Sequence, residues 1–208
     1  MQYTLLDSDT VTAPTGATLR RIRYADGTLG GYLGSERNLA PNGDARVCGT
    51  AQVSSDAQVY GDARGYGNAR GSGAAWGSGN ARVSGDAQVS GNARVYGDAL
   101  VYGNALVYGN ARVSGDAWVS GDAQVSGDAW VSAPEHCFTA GPLGSRTATL
   151  TVCRDSALGV SYATGCFFGS REAFLAAVEA THGNSSFGNA YAAAIMLADH
   201  IVPPYMPE

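Results

Sequence analysis

Residues 47–132 read VCGTAQ VSSDAQ VYGDAR GYGNAR GSGAAW GSGNAR VSGDAQ VSGNAR VYGDAL VYGNAL VYGNAR VSGDAW VSGDAQ VSGDAW VS. The stretch is fourteen hexapeptides and a closing Val131-Ser132, with no residue gained or lost. Position one is Val except at Gly65, Gly71 and Gly77, and position five is Ala throughout, from Ala51 to Ala129. Position three is Gly in all repeats but the one with Ser55, and position four is mostly Asp or Asn. In a period-two strand, Val at one and the Ala two residues before it lie on the same side, so both face a common interior. Gly followed by Asp or Asn turns a corner that needs positive or strained φ. A hexapeptide of this kind is one short strand and one corner of a parallel β-helix. Three such sides make an 18-residue coil, and coils spaced roughly 4.8 Å apart give nearly five turns, a rod of roughly 20–25 Å.

Composition sets bounds on the rest. The 208 residues suffice for one elongated domain with appendages or for two small domains. The 29 Gly follow from a corner at every sixth residue. Disorder also produces Gly-rich repeats, but it has no reason to hold Val and Ala in phase. The amino-terminal MQYTLLDSDT has neither the basic nor the apolar region of a signal peptide. No apolar run reaches the roughly 20 residues that cross a bilayer. A soluble, cytoplasmic protein is expected. Four Cys at 48, 137, 153 and 166 have no regular spacing, which fits reduced thiols better than a disulfide framework. All 13 basic residues are Arg, so a Walker A loop and lysine chemistry are excluded. Residues 44–132 carry eight Asp and six Arg, too even a balance to indicate nucleic-acid binding.

Three segments follow. Residues 1–43 form an amino-terminal cap, with strands in QYTLL and TLRRIRYA and a turn at Ala25-Asp26-Gly27. Counting back by six from Val47 places Leu29 at position one and Leu33 and Leu39 at position five of a degenerate first coil. Arg20, Arg21 and Arg23 read as an exposed strand face balanced by Asp7, Asp9, Asp26 and Glu36. Residues 44–132 are the helix proper. Residues 133–208 have a different grammar and read as a small β-β-α-α domain. Strands at 147–154 and 158–164 form a hairpin, and helices at 170–183 and 186–202 follow, with Ser170 as N-cap and Pro203-Pro204 as the stop. The whole is mainly β, with a small α+β carboxy-terminal domain.

Two features within the repeat stand out. Gly65, Gly71 and Gly77 are the three sides of one layer, which loses all its Val side chains. Tolerated drift explains this, as does a cavity or a bend beside Trp76 and Tyr66. The second feature is a band of large outward residues, Leu100, Tyr102, Leu106, Tyr108 and Trp118, with Tyr96 beside it. Contiguous exposed apolar residues mark an interface. The band therefore predicts a homo-oligomer, dimer or trimer, or a partner site, unless the carboxy-terminal domain folds over it. The set Cys137, Cys153, Cys166 and His182 lacks the short spacings of a zinc site, and no metal or cofactor is assigned.

The repeat resembles that of left-handed β-helix proteins, and this resemblance carries the handedness. Many such proteins are acyltransferases with a His general base, and others resemble γ-class carbonic anhydrases with three zinc-binding His. The repeat contains no His; the three His are at 136, 182 and 200. Three pieces, LRRIRYADGTLGGYLGSERNL, the GNARVYGDA run and GCFFGSREAFLAAVEATHGN, together resemble hexapeptide-repeat proteins of unclear role common in bacteriophages and prophages. Leu29-Gly30-Gly31-Tyr32 and Arg37-Asn38-Leu39 match the lead-in loosely. Gly165-Cys166-Phe167, Glu172-Ala173-Phe174 and Thr181-His182-Gly183 match the tail. That resemblance implies a mobile-element origin and brings no catalytic residue. The expectation is a non-catalytic binding scaffold that inhibits or sequesters a host protein, such as a defence or nucleic-acid-processing factor. An acyltransferase with its base relocated to His136 or His182, and a structural component of the phage particle, are the alternatives.

Overall fold

The computed structural model describes residues 3–207. Three antiparallel strands open the chain, β1 (Tyr3–Thr12), β2 (Thr18–Tyr24) and β3 (Leu29–Leu33). Gln2 of the first predicted strand lies outside the described residues. Fifteen two-residue strands then recur at steps of six, from β4 (Arg46–Val47) through β18 (Trp130–Val131). They stack as three parallel sheets, the sides of a β-solenoid of about 6 turns. Val and Ala of every side close the interior, and outside the glycine layer all are buried except Val59 and Val83 in the turns beside it, which are partly buried.

The corners follow the position-three rule. Gly103 takes φ +74°, where a side chain would be strained, and the one non-Gly corner residue, Ser55, sits at φ +56°. At position four, Asn side chains donate to the residue one turn on: Asn68 Nδ2 to Asp86 Oδ1 at 2.9 Å, and Asn80 Nδ2 to Asp98 Oδ1 at 2.8 Å. These polar columns run along the edges of the prism while the apolar columns run inside it.

The first turn departs from the phase that counting back by six gives. Leu33 pairs with Val53 and Leu39 bridges to Val59, so both hold position one. Two extra residues lie between Leu39 and Val47, in the Pro41-Asn42-Gly43-Asp44 corner, and counting by six cannot see them. Leu29 is 51% exposed and takes no part in the interior. Strand β3 belongs to two neighbours at once, antiparallel to β2 and parallel to the strand Gln52–Val53. Its glycines permit the close approach, since a Cβ on Gly31 would overlap the Ala51 carbonyl oxygen. Side chains close the remaining backbone groups. The Tyr24 hydroxyl accepts from Val47 N at 2.8 Å and donates to Val47 O at 3.1 Å. The Asn38 amide, fully buried, donates to Ser55 O at 2.9 Å and Ala57 O at 2.8 Å.

The carboxy-terminal domain has four strands where two were expected: β19 (Cys137–Leu143), β20 (Ala148–Asp155), β21 (Gly159–Thr164) and β22 (Phe167–Gly169), in that antiparallel order. Gly141-Pro142 hides β19, and Pro is tolerated there because β19 is an edge strand; β22 is only three residues long. Helices α1 (Arg171–His182) and α2 (Ser186–Ile201) follow, with Ser170 Oγ accepting from Ala173 N and Ser185 Oγ from Gly188 N. Strand β20 lies across the end of the solenoid. Ala129 bridges Asp155, Thr151 Oγ1 accepts from Gln124 N at 2.9 Å, and Cys153 joins the solenoid core. Register also corrects the thiol expectation: Cys137 and Cys153 are directly opposed across β19 and β20 and form a disulfide. Cys48 and Cys166 are free. Spacing alone could not pair two cysteines when one strand went unrecognised.

In the glycine layer the sheets continue in register, with Val47 against Gly65 and Gly65 against Val83. Gly65, Gly71 and Gly77 keep ordinary strand backbone, and added Cβ atoms would lie 3.7–4.0 Å from their nearest neighbours. A cavity of about 50 Å³ remains, lined by Val and Ala of the adjoining turns. Gly71→Ala should therefore raise stability by about 1–2 kcal/mol, from one buried methyl and a less flexible unfolded chain. Changing all three to Val should raise it further. Denaturant midpoints read both, and a lower midpoint would mean the neighbouring valines already fill the space.

Tyr24 provides a second test. Burial pushes its phenol up to about 12, against a weaker opposing effect of its bond to Val47 and the nearby Arg46 charge. A raised phenol stabilises the fold fully below its ordinary value of roughly 10 and stops doing so as pH climbs towards the folded value. Tyr24→Phe should cost about 1–3 kcal/mol at neutral pH by orphaning the Val47 backbone groups. It should also flatten the loss of stability at alkaline pH, measured by urea unfolding across that range.

Candidate functional site

Each side of the solenoid presents one outward column of position-six residues. The first carries Arg46, Arg64, Arg82, Leu100 and Trp118 in register. The second carries Gln52, Arg70, Gln88, Leu106 and Gln124. The third carries Gln58, Trp76, Arg94, Arg112 and Trp130.

The large outward residues form a belt around one turn. Tyr96 lies before one corner, Leu100 and Tyr102 on the next side, and Leu106 and Tyr108 on the side after. Trp118 is paired directly with Leu100. Leu100 and Leu106 are half-buried among their neighbours, whereas Tyr102 and Tyr108 are exposed and Trp118 is 58% open. The carboxy-terminal domain stacks on the end of the rod and leaves this belt uncovered.

The third side holds an ordered stack, of which the sequence points only to Trp76, beside the glycine layer. Arg94 lies over the Trp76 ring at 5.1 Å, and Arg112 over the Trp130 ring at 5.2 Å. Tyr60 meets Trp76 edge-on at 6.3 Å, and Tyr205 stacks on Trp130 at 5.3 Å. Arg154 closes the far end over Tyr205 at 5.0 Å. A groove of about 250 Å³ runs along this side, lined by Tyr60, Trp76, Ser78, Arg94, Tyr96 and Arg112. The signal available in the sequence was the eighteen-residue recurrence of Trp, Arg, Arg and Trp in one column.

The amino-terminal arginines are largely committed. Arg20 pairs with Asp7 at 3.2 Å and Arg21 with Asp9 at 3.6 Å, while Asp26 pairs with Arg46 at 3.6 Å. The candidate zinc set is dispersed. Cys137 and Cys153 are bonded to each other, whereas Cys166 and His182 line a groove in the carboxy-terminal domain. His182 is stacked on Tyr191 at 5.6 Å. His136 sits at the end of the rod, its Nε2 3.1 Å from Arg154 Nη1. Nδ1 lies 3.2 Å from Ser132 N and 3.1 Å from Ser132 Oγ, so both ring nitrogens are engaged by neighbouring groups. Burial and the Arg154 charge both hold the His136 pKa below its usual value.

This architecture defines a repeat β-solenoid protein. A family model described as YdcK β-solenoid repeat matches residues 78–91, 87–103 and 105–121. The matched residues begin just past Gly77 and contain Arg94, Arg112 and the whole belt, whereas the glycine layer and both caps lie outside them. No curated protein matches the chain. Among the described residues no helix is long and apolar enough to cross a membrane.

If the belt serves binding rather than folding, its most open member should be dispensable to stability. Trp118→Ala should change the unfolding free energy by no more than about 0.5 kcal/mol, whereas Leu100→Ala should cost more. Equilibrium denaturation of the two variants decides this.

Proposed function

We propose that this chain is a non-catalytic binding scaffold of phage or prophage origin, a left-handed coil by its resemblance, acting in the host cytoplasm on a host protein. A defence factor or a nucleic-acid-processing protein is the expected target. The observation that carries the reading is the belt of Tyr96, Leu100, Tyr102, Leu106, Tyr108 and Trp118, in which, among the described residues, Tyr102, Tyr108 and Trp118 stand exposed. Aromatic residues held on a rigid backbone lose little freedom on binding and so suit an interface. A second copy of the chain is the other occupant of such a belt, and a homo-oligomer follows from that. The acyltransferase alternative finds less support. Both His136 ring nitrogens are engaged, by the Arg154 guanidinium and by Ser132, and His182 is stacked against Tyr191.

Leu100→Arg with Leu106→Arg should lower the mass seen in light scattering, or abolish capture of a host protein that the wild type retains, while circular dichroism stays unchanged. Turnover of acetyl-CoA by the wild type, with no macromolecule retained, would overturn the reading.

A further inference from the structure

The third side carries a second surface whose chemistry differs from that of the belt. Arg94 and Arg112 are register partners on adjacent strands, so their two side chains leave backbones one strand spacing apart, roughly 4.8 Å. Among the described residues the ion pairs use Arg20, Arg21, Arg46 and Arg171, and neither Arg94 nor Arg112 has a carboxylate partner. Like charges placed side by side without a counter-charge work against the fold. Here they are held in place, because each guanidinium lies on an indole, Arg94 on Trp76 and Arg112 on Trp130. The indoles are braced in turn by Tyr60 and Tyr205. Stacking takes up the flat faces of the guanidiniums and leaves their N–H edges free, and a planar fork of this kind suits phosphoryl oxygens. The groove beside them, about 250 Å³, adds Ser78 and the two half-buried rings of Tyr60 and Tyr96.

We propose that this groove binds a compact phosphate monoester, with the Arg94 and Arg112 edges sharing its phosphoryl oxygens and Tyr60 and Tyr96 flanking its organic part. Charge argues for a small anion over a nucleic-acid strand. The chain has a net charge of −5, and Asp98 and Asp116 occupy the corner just past Arg94 and Arg112 on the same two turns, where they would repel an extended polyanion. The surface shares Tyr96 with the belt but none of Leu100, Leu106 and Trp118, so the inference goes beyond the scaffold reading and does not depend on it.

The test is calorimetric titration of the intact protein with adenosine 5′-monophosphate, glucose 6-phosphate, adenosine, glucose and single-stranded oligothymidine. At least one monoester should saturate a single site, and its unphosphorylated parent should not. Arg94→Gln and Arg112→Gln should each weaken that binding by about tenfold or more, and Arg94→Lys, which keeps the charge but loses the fork, should fall between. Arg82→Gln, an outward arginine on the first side, should leave it unchanged. Thermal unfolding separates loss of site from loss of fold: Arg112→Gln relieves the like-charge pair, so its midpoint should hold or rise while binding falls. The proposal is overturned if neither monoester binds below millimolar concentration, if the parent compounds bind equally well, or if the glutamine variants bind as the wild type does. Tighter, steeply salt-dependent binding of oligothymidine that displaces the monoester would overturn it in favour of a nucleic-acid surface.

Discussion

The structure depends on a backbone hydrogen-bond ladder that joins each turn to the next. Gln52 N donates to Ala69 O, Arg70 N to Ala87 O and Gln88 N to Ala105 O, all at 2.9 Å, and Leu106 N continues the series to Ala123 O at 2.8 Å. The other two sides repeat the pattern. Each bond adds only about 1 kcal/mol net, but leaving such groups unpaired in a buried setting costs more, so the ladder has to run unbroken. It does so through the glycine layer, where Cys48 N donates to Gly65 O at 2.8 Å and Tyr66 N to Val83 O at 2.9 Å. That explains how a layer can lose three Val side chains without losing its place: the backbone sets the spacing, and the interior fills whatever space results.

A ladder of this kind has two open ends, and the chain closes them by different means. At the start, Tyr24 and Asn38 offer side-chain groups where a preceding turn would have offered backbone. At the finish, β20 lies across the last turn and brings Thr151 and Cys153 against it. With both ends closed, the three sides are left as the exposed surface, and their outward columns are the positions the repeat leaves free to vary. The belt and the Trp–Arg stack both occupy such positions, and neither disturbs the Val and Ala inside.

The solenoid was legible because its physics is periodic: one apolar side every six residues, and a corner that only a few residues tolerate. Both helices were legible for similar reasons, with Ser170 and Pro203-Pro204 marking ends. What escaped notice was aperiodic. Two extra residues before Val47 shifted the phase of Leu33 and Leu39. A Pro-containing edge strand concealed β19 and, with it, the pairing of Cys137 and Cys153. Of the surface, the belt could be read from residue size alone. The stack required knowing that Trp76, Arg94, Arg112 and Trp130 touch their neighbours along the axis, and Tyr205 reaches that stack from the distant carboxy-terminal end. No local pattern announces such a contact.

The way the caps grip the rod also limits how such a chain can change in length. Strand β3 sits on the side of Gln52–Val53, and Thr151 of β20 binds Gln124 on that same side. Losing or gaining one hexapeptide would turn the far cap by a third of a revolution and present it with the wrong column. A whole turn can be duplicated or deleted without that penalty, because every later residue returns to the same side. Growth of this rod is therefore quantised in turns. Each added turn carries the belt further from one end while its facing relative to both caps stays fixed, so reach and orientation can vary separately.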